Sequence, residues 1–99
     1  MKLVKTDKVI SSACFPLRNG EVIDLETAFL DLKNYFNCRE VLFNDKFYLL
    51  CIKLDRATVN VSYKGKIKFF SVLPTRDLER LCFDLWADVF KKNVKKTST

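Results

Sequence analysis

Histidine and glutamine are absent from this chain of 99 residues, and glycine and proline occur only twice each. Without histidine, a serine or cysteine nucleophile has no imidazole to take its proton, and a zinc site would have to be built from cysteines and carboxylates alone. The two glycines, Gly20 and Gly65, are too few for a phosphate-cradling loop, and neither G-x-S-x-G nor H-E-x-x-H occurs. The twelve acidic residues are scattered and mostly interleaved with Lys or Arg, which is the pattern of a solvated surface rather than of a catalytic pair. Cys14, Cys38, Cys51 and Cys82 include no C-x-x-C pair, so neither metal nor cofactor is expected, and the thiols are expected to be reduced and mostly buried. The opening stretch from Met1 to Lys8 lacks the apolar segment of a secretory signal, and no apolar run reaches membrane-spanning length. These absences lead to the expectation of a cytoplasmic, intracellular, non-enzymatic protein with no membrane partner.

What is present suffices for one core. Hydrophobic residues make up 48% of the chain and recur through residues 1–90, whereas Lys91 to Thr99 holds only Val94. A single domain over 1–90 is therefore expected, followed by a basic, disordered tail over 91–99. The net charge of +6 divides unevenly along the chain. Lys91, Lys92, Lys95 and Lys96 carry four charges of it, leaving 14 basic and 12 acidic side chains in residues 1–90. Within that body the cations concentrate: Lys46, Lys53, Arg56, Lys64, Lys66 and Lys68 face the single acid Asp55.

Periodicity assigns the elements. Val9 to Leu17 reads as a strand closed by Pro16 and the Asn19-Gly20 turn. Asp24 is placed to cap a helix over 25–36, with Glu26 in its first turn and Leu25, Phe29, Leu32 and Phe36 on its inner stripe. Arg39 to Phe43 and Lys46 to Leu54 read as strands around an Asn44-Asp45 turn, and after Asp55-Arg56 the segments Thr58–Ser62 and Lys66–Phe69 alternate strictly. Residues paired across two strands must point to the same side. A three-residue loop with Gly65 left-handed satisfies this by pairing Val61 with Ile67, Val59 with Phe69 and Asn60 with Lys68. A two-residue Asp55-Arg56 turn then sets Ile52 against Val59 and Cys51 against Asn60. One face becomes Tyr48, Leu50, Ile52, Val59, Val61, Ile67 and Phe69, suited to a core. The other becomes Phe47, Leu49, Cys51, Lys53, Thr58, Asn60, Ser62, Lys66, Lys68 and Phe70. A last helix follows Pro74, capped by Thr75, with Leu78, Leu81, Cys82, Leu85 and Val89 inward and Trp86 and Phe90 at the core boundary. The expected class is α+β, in the order β-α-β-β-β-β-α, a curved antiparallel sheet with two helices packed on one face.

Two resemblances bear on function. Lys64 to Phe70 is similar to the basic-glycine-aromatic strand of an RNA-recognition motif, but that fold needs a further strand after its last helix, and none is expected here. The order of elements over about residues 8–92 instead resembles one repeat of the TATA-box-binding protein. The likeness includes Val22-Ile23-Asp24-Leu25 at the first helix start, Lys46-Phe47 opening an apolar strand that ends at Lys53, and Gly65-Lys66 in the hairpin. In that family the underside of the sheet lies in the minor groove and phenylalanines wedge between base steps. The resemblance implies Phe47 at a wedge position, Lys53 at a phosphate contact, and Thr58, Asn60 and Lys68 on the same underside. The second wedge position falls at Ser62. A full saddle would need two copies, so a homodimer is implied.

The residues themselves leave two function classes open. The mixed face, with Lys53, Lys66 and Lys68 set among Thr58, Asn60 and Ser62, offers phosphate contacts and groove-compatible hydrogen bonds to nucleic acid, DNA first. Phe70 belongs to that surface, and the tail would help. The same face carries Leu49, Cys51 and Phe70, an apolar patch framed by polar groups, which equally suits a protein partner or dimerisation.

Overall fold

The computed structural model describes residues 1–35 and 37–97. It is an α+β fold of two helices, one antiparallel sheet of six strands and a second sheet of two. The elements in chain order are β1 (Val4–Lys5), β2 (Ile10–Cys14), β3 (Glu21–Ile23), α1 (Leu25–Lys33), β4 (Cys38–Asn44), β5 (Leu49–Leu54), β6 (Thr58–Ser62), β7 (Lys66–Phe70), α2 (Thr75–Leu85) and β8 (Val94–Lys96). The large sheet runs β1-β2-β7-β6-β5-β4, so β4 to β7 form a meander and β2 returns to pair with its last strand.

Strict alternation sets the register. Leu50 lies opposite Val61, Ile52 opposite Val59, Val59 opposite Phe69 and Val61 opposite Ile67, and all six side chains are buried. Both hairpins therefore take the pairing that the sequence predicts. A slip of one residue at either would have turned this set to solvent. Gly65 makes the second hairpin possible, with φ at +87° and its amide donating to the Ser62 carbonyl. A Cβ there would also come within 2.8 Å of Leu17 Cδ1. β2 adds Ser11, Ala13 and then Phe15 to the inner side, where Leu25, Ala28 and Leu32 of α1 and Leu78, Cys82 and Leu85 of α2 join one buried cluster.

Helix α1 begins as its sequence indicates. Asp24 is the N-cap, and its carboxylate accepts from the Thr27 amide at 3.3 Å. That amide is the main reason the carboxyl pKa lies below its ordinary value of 3.8, opposed by partial burial and aided by Lys95. A depressed folded-state pKa means stability present above the unfolded value and lost as pH falls through the folded one. Asp24→Ala is therefore expected to cost about 1 kcal/mol at neutral pH. In melting curves the gap between variant and parent should close below about pH 4, as the parent loses its carboxylate.

Several expectations are corrected. The first helix ends at Lys33, where the Asn34 amide reaches back to the Asp31 and Leu32 carbonyls, and Phe36 lies outside the described residues. The long strand begins at Leu49, not Lys46. Asn44 Oδ1 accepts from the amides of Lys46 and Phe47, both at 3.1 Å, and so closes a turn over 45–48 that ends with Tyr48 at φ 51°. Tyr48 is thus exposed rather than in the core, resting edge-on against Phe43 and Tyr63. In α2 the cap position falls to Pro74, which leaves Thr75 as the first helical residue with no capping bond from its side chain.

The C-terminal end departs most. Trp86–Phe90 forms a π-helical turn, closed by the Lys91 amide donating to the Trp86 carbonyl. The extra residue in that turn brings both Val89 and Phe90 inward. Phe90 is fully buried rather than at the boundary, and Phe15 stacks on Phe90 and Trp86 at 5.0 and 5.1 Å. Residues 91–97, expected to be disordered, are ordered: Lys91–Asn93 makes a 3-10 turn and Val94–Lys96 pairs with β3. A strand does therefore follow the last helix, but in the small sheet and not in the large one. Ser98 and Thr99 lie outside the described residues.

Candidate functional site

The helices cover one face of the six-stranded sheet, and the other face is open. Its side chains form rows across the strands. In the central row Val4, Ser12, Lys68, Asn60, Cys51 and Leu42 succeed one another from β1 to β4. On one side of it lies the row Ile10, Phe70, Thr58, Lys53 and Glu40. On the other, Cys14 pairs with Lys66, and Ser62, Leu49 and Asn44 continue toward β4.

Seven of the eight expected site residues share this face. Thr58, Asn60 and Ser62 are half-buried along β6, while Lys53, Lys66, Lys68 and Phe70 are exposed. Ser62 Oγ accepts from the Lys66 amide at 3.2 Å, which ties up part of its capacity. The exception is Phe47. It sits at the tip of the β4–β5 turn, 66% exposed, and its ring packs under the Lys46 ammonium. A wedge on the sheet underside is thereby lost, because the Asn44 side chain pulls Lys46 and Phe47 out of the strand. Lys53 keeps its place, but Glu40 lies directly across on β4 and its carboxylate is 3.2 Å from the Lys53 ammonium.

Two depressions shape the face and meet at Leu49 and Asn60. The larger, about 740 Å³, is bounded by Lys2, Val4, Ser12, Cys14, Lys66 and Lys68 on the β1, β2 and β7 side. Among the described residues, three lysines and no carboxylate line it. None of the three is in an ion pair among the described residues. The smaller, about 550 Å³, is bounded by Leu42, Phe43, Asn44, Asp45 and Cys51, and no cation among the described residues lines it. The positive charge of the open face is thus collected on one half.

Lys2, Ser12 and Cys14 were not anticipated as part of this surface. The alternation of Ser11, Ser12, Ala13 and Cys14 marks a strand, but which strand it joins is a long-range choice that the pattern does not carry. Cys14 is exposed there, against the expectation of mostly buried thiols, and Cys38 and Cys51 are half-buried. Only Cys82 is fully enclosed, and burial pushes its thiol up to about 11. All four cysteines are free.

The tail lysines do not reach this surface as a free arm. Lys92 and Lys95 pair with Asp31 and Asp24 at 3.7 and 3.8 Å, on the α1 side of the molecule. Among the described residues no three His, Cys, Asp or Glu side chains are grouped to hold a metal ion, and no helix is long and apolar enough to cross a membrane. No family model matches the chain, and neither a curated protein nor a solved structure was found to be similar to it.

Proposed function

We propose that this domain binds nucleic acid, DNA in the first instance, on the open face of its six-stranded sheet. The observation that carries this reading is the depression lined by Lys2, Lys66 and Lys68 with no carboxylate, bordered by the hydroxyl and amide groups of Ser12, Asn60 and Ser62. Cations kept only for solubility have no need to gather around a concavity. Unpaired ammonium groups beside neutral hydrogen-bonding side chains are what a phosphate backbone and base edges require. The order β2, α1, the β4–β7 meander and α2 supports a likeness to one repeat of the TATA-box-binding protein, with β1, β3 and β8 as additions. A Phe47 wedge has no part in the reading, since Phe47 lies off the sheet. Catalysis is not proposed.

The second reading is a protein-binding or dimerisation surface, and Leu42 favours it. This side chain is 52% exposed on β4, at the sheet edge, beside half-buried Leu49 and Cys51. A second copy could pair there and extend the sheet.

Fluorescence titration with a labelled oligonucleotide at several salt concentrations separates the two readings. Replacing Lys66 and Lys68 together with alanine is expected to weaken binding to every sequence and to flatten the salt dependence by about one unit of slope per lysine or somewhat less. Replacing Lys91 and Lys96, which lie outside the face and in no ion pair among the described residues, is the control and should change little. Binding that survives the first pair and falls with the second would assign the affinity elsewhere. The dimerisation reading would then be pursued by light scattering of Leu42→Lys.

A further inference from the structure

We infer that the nucleic acid taken by this face is a single strand, held with its phosphates over Lys66, Lys68 and Lys2 and its bases toward Asn60 and the uncharged β4–β5 half. The inference rests on the nucleic-acid reading above and narrows it. A duplex lying on a sheet presents two phosphate rails, separated by a groove of about 6 or 12 Å, and both need cations. Here only one rail is provided. The larger depression has three lysines and no acid. Across the sheet, a second rail would meet Glu40 and the Asp45 that lines the smaller depression. On that side Lys53 is paired with Glu40 and Arg39 with Asp55, Lys46 lies over the Phe47 ring, and Arg56 stands apart in the β5–β6 turn.

A single strand asks for less. Lys66 and Lys68 are two residues apart on β7, so their stems leave the sheet about 7 Å apart on the same side. Beyond them the central row passes to Asn60, whose amide can both donate and accept, and then to Cys51 and Leu42. Apolar walls joined to one amide suit unpaired bases, which need a surface to lie on and an edge to bond. A duplex hides those base faces in its stack.

The test compares anisotropy titrations of one short mixed-sequence DNA strand, labelled, alone and annealed to its complement. The single strand is expected to bind at least about tenfold tighter. Three phosphate contacts give a slope of about −2 in log affinity against log salt, hence roughly a 20-fold loss between 50 and 200 mM salt. Lys68→Ala should reduce that slope by about 0.7. In Glu40→Lys, an exposed position on an edge strand, the second rail is supplied, and duplex affinity should rise relative to single-strand affinity. Equal or tighter binding of the duplex by the unaltered protein, or an unchanged ratio in Glu40→Lys, overturns the single-strand inference and leaves the nucleic-acid reading standing. Failure of both forms to bind at low salt overturns the two together.

Discussion

Removing residues 91–99 is expected to destabilise the domain by about 3–5 kcal/mol, a large share of the 5–15 kcal/mol typical of a domain this size. The reason is Asn93. It is one of two buried polar residues among the described residues, and its side-chain amide donates to the Val89 carbonyl at 2.7 Å and to the Asp31 carboxylate at 2.9 Å. Its own carbonyl accepts from the Asp24 amide at 2.8 Å, directly before α1. One residue therefore ties the end of the π-helical turn to the start and the last turn of α1. Truncation would also strip β8 from β3, whose Ile23 is buried, and release the ion pairs of Lys92 and Lys95. Hydrogen bonds to a charged partner contribute about 1.5–3 kcal/mol and neutral ones about 1, so Asn93→Ala alone should account for most of the loss. Equilibrium denaturation of the truncated chain checks this. A midpoint unchanged from that of the whole chain would mean that the last strand is ornamental.

How the fold was legible depends on the range of the interactions involved. The two hairpins of the meander were readable because their turns are short and their strands alternate, so only one register keeps Val59, Val61, Ile67 and Phe69 on one side. The Asp24 cap was equally local. What failed was the competition between a β-rich segment and a single turn-forming side chain: Phe47 and Tyr48 suit a strand, yet Asn44 captures the next amides first. The C-terminal segment failed for the opposite reason. Val94 is its one apolar residue, and the force ordering 91–97 is Asn93 bonding to residues 62 and 69 positions earlier in the chain, which no local pattern displays. The candidate site divides in the same way. Thr58, Asn60, Lys66 and Lys68 follow from local alternation, but the opposition of Lys53 by Glu40 needs the pairing of β4 with β5, and the arrival of Lys2 and Ser12 needs that of β2 with β7.

Phe69→Ala is expected to cost about 3–5 kcal/mol, because the ring is wholly enclosed at the centre of the sheet and its removal leaves a cavity that the surrounding strands cannot close. Its neighbours along that row are Val59 on β6 and Ser11 on β2, both buried, so no flexible side chain stands ready to fill the space. At roughly 4–8 °C per kcal/mol for a domain of this size, the melting temperature should fall by more than about 12 °C. The preceding residue on the same strand makes the contrast. Lys68 points to the open face and makes no ion pair among the described residues, and Lys68→Ala should leave the melting temperature nearly unchanged while weakening oligonucleotide binding. Strand β7 thus carries stability on Ile67 and Phe69 and the proposed binding on Lys66 and Lys68, and the two variants should separate these properties cleanly. Measured below its own transition, Phe69→Ala should still bind the labelled strand, since the pairing of β7 with β2 and β6 holds the lysines in place from both sides. If Lys68→Ala instead lowered the melting temperature as much as Phe69→Ala, the open face would be contributing to the fold itself, and its lysines could no longer be read as a surface held free for a ligand.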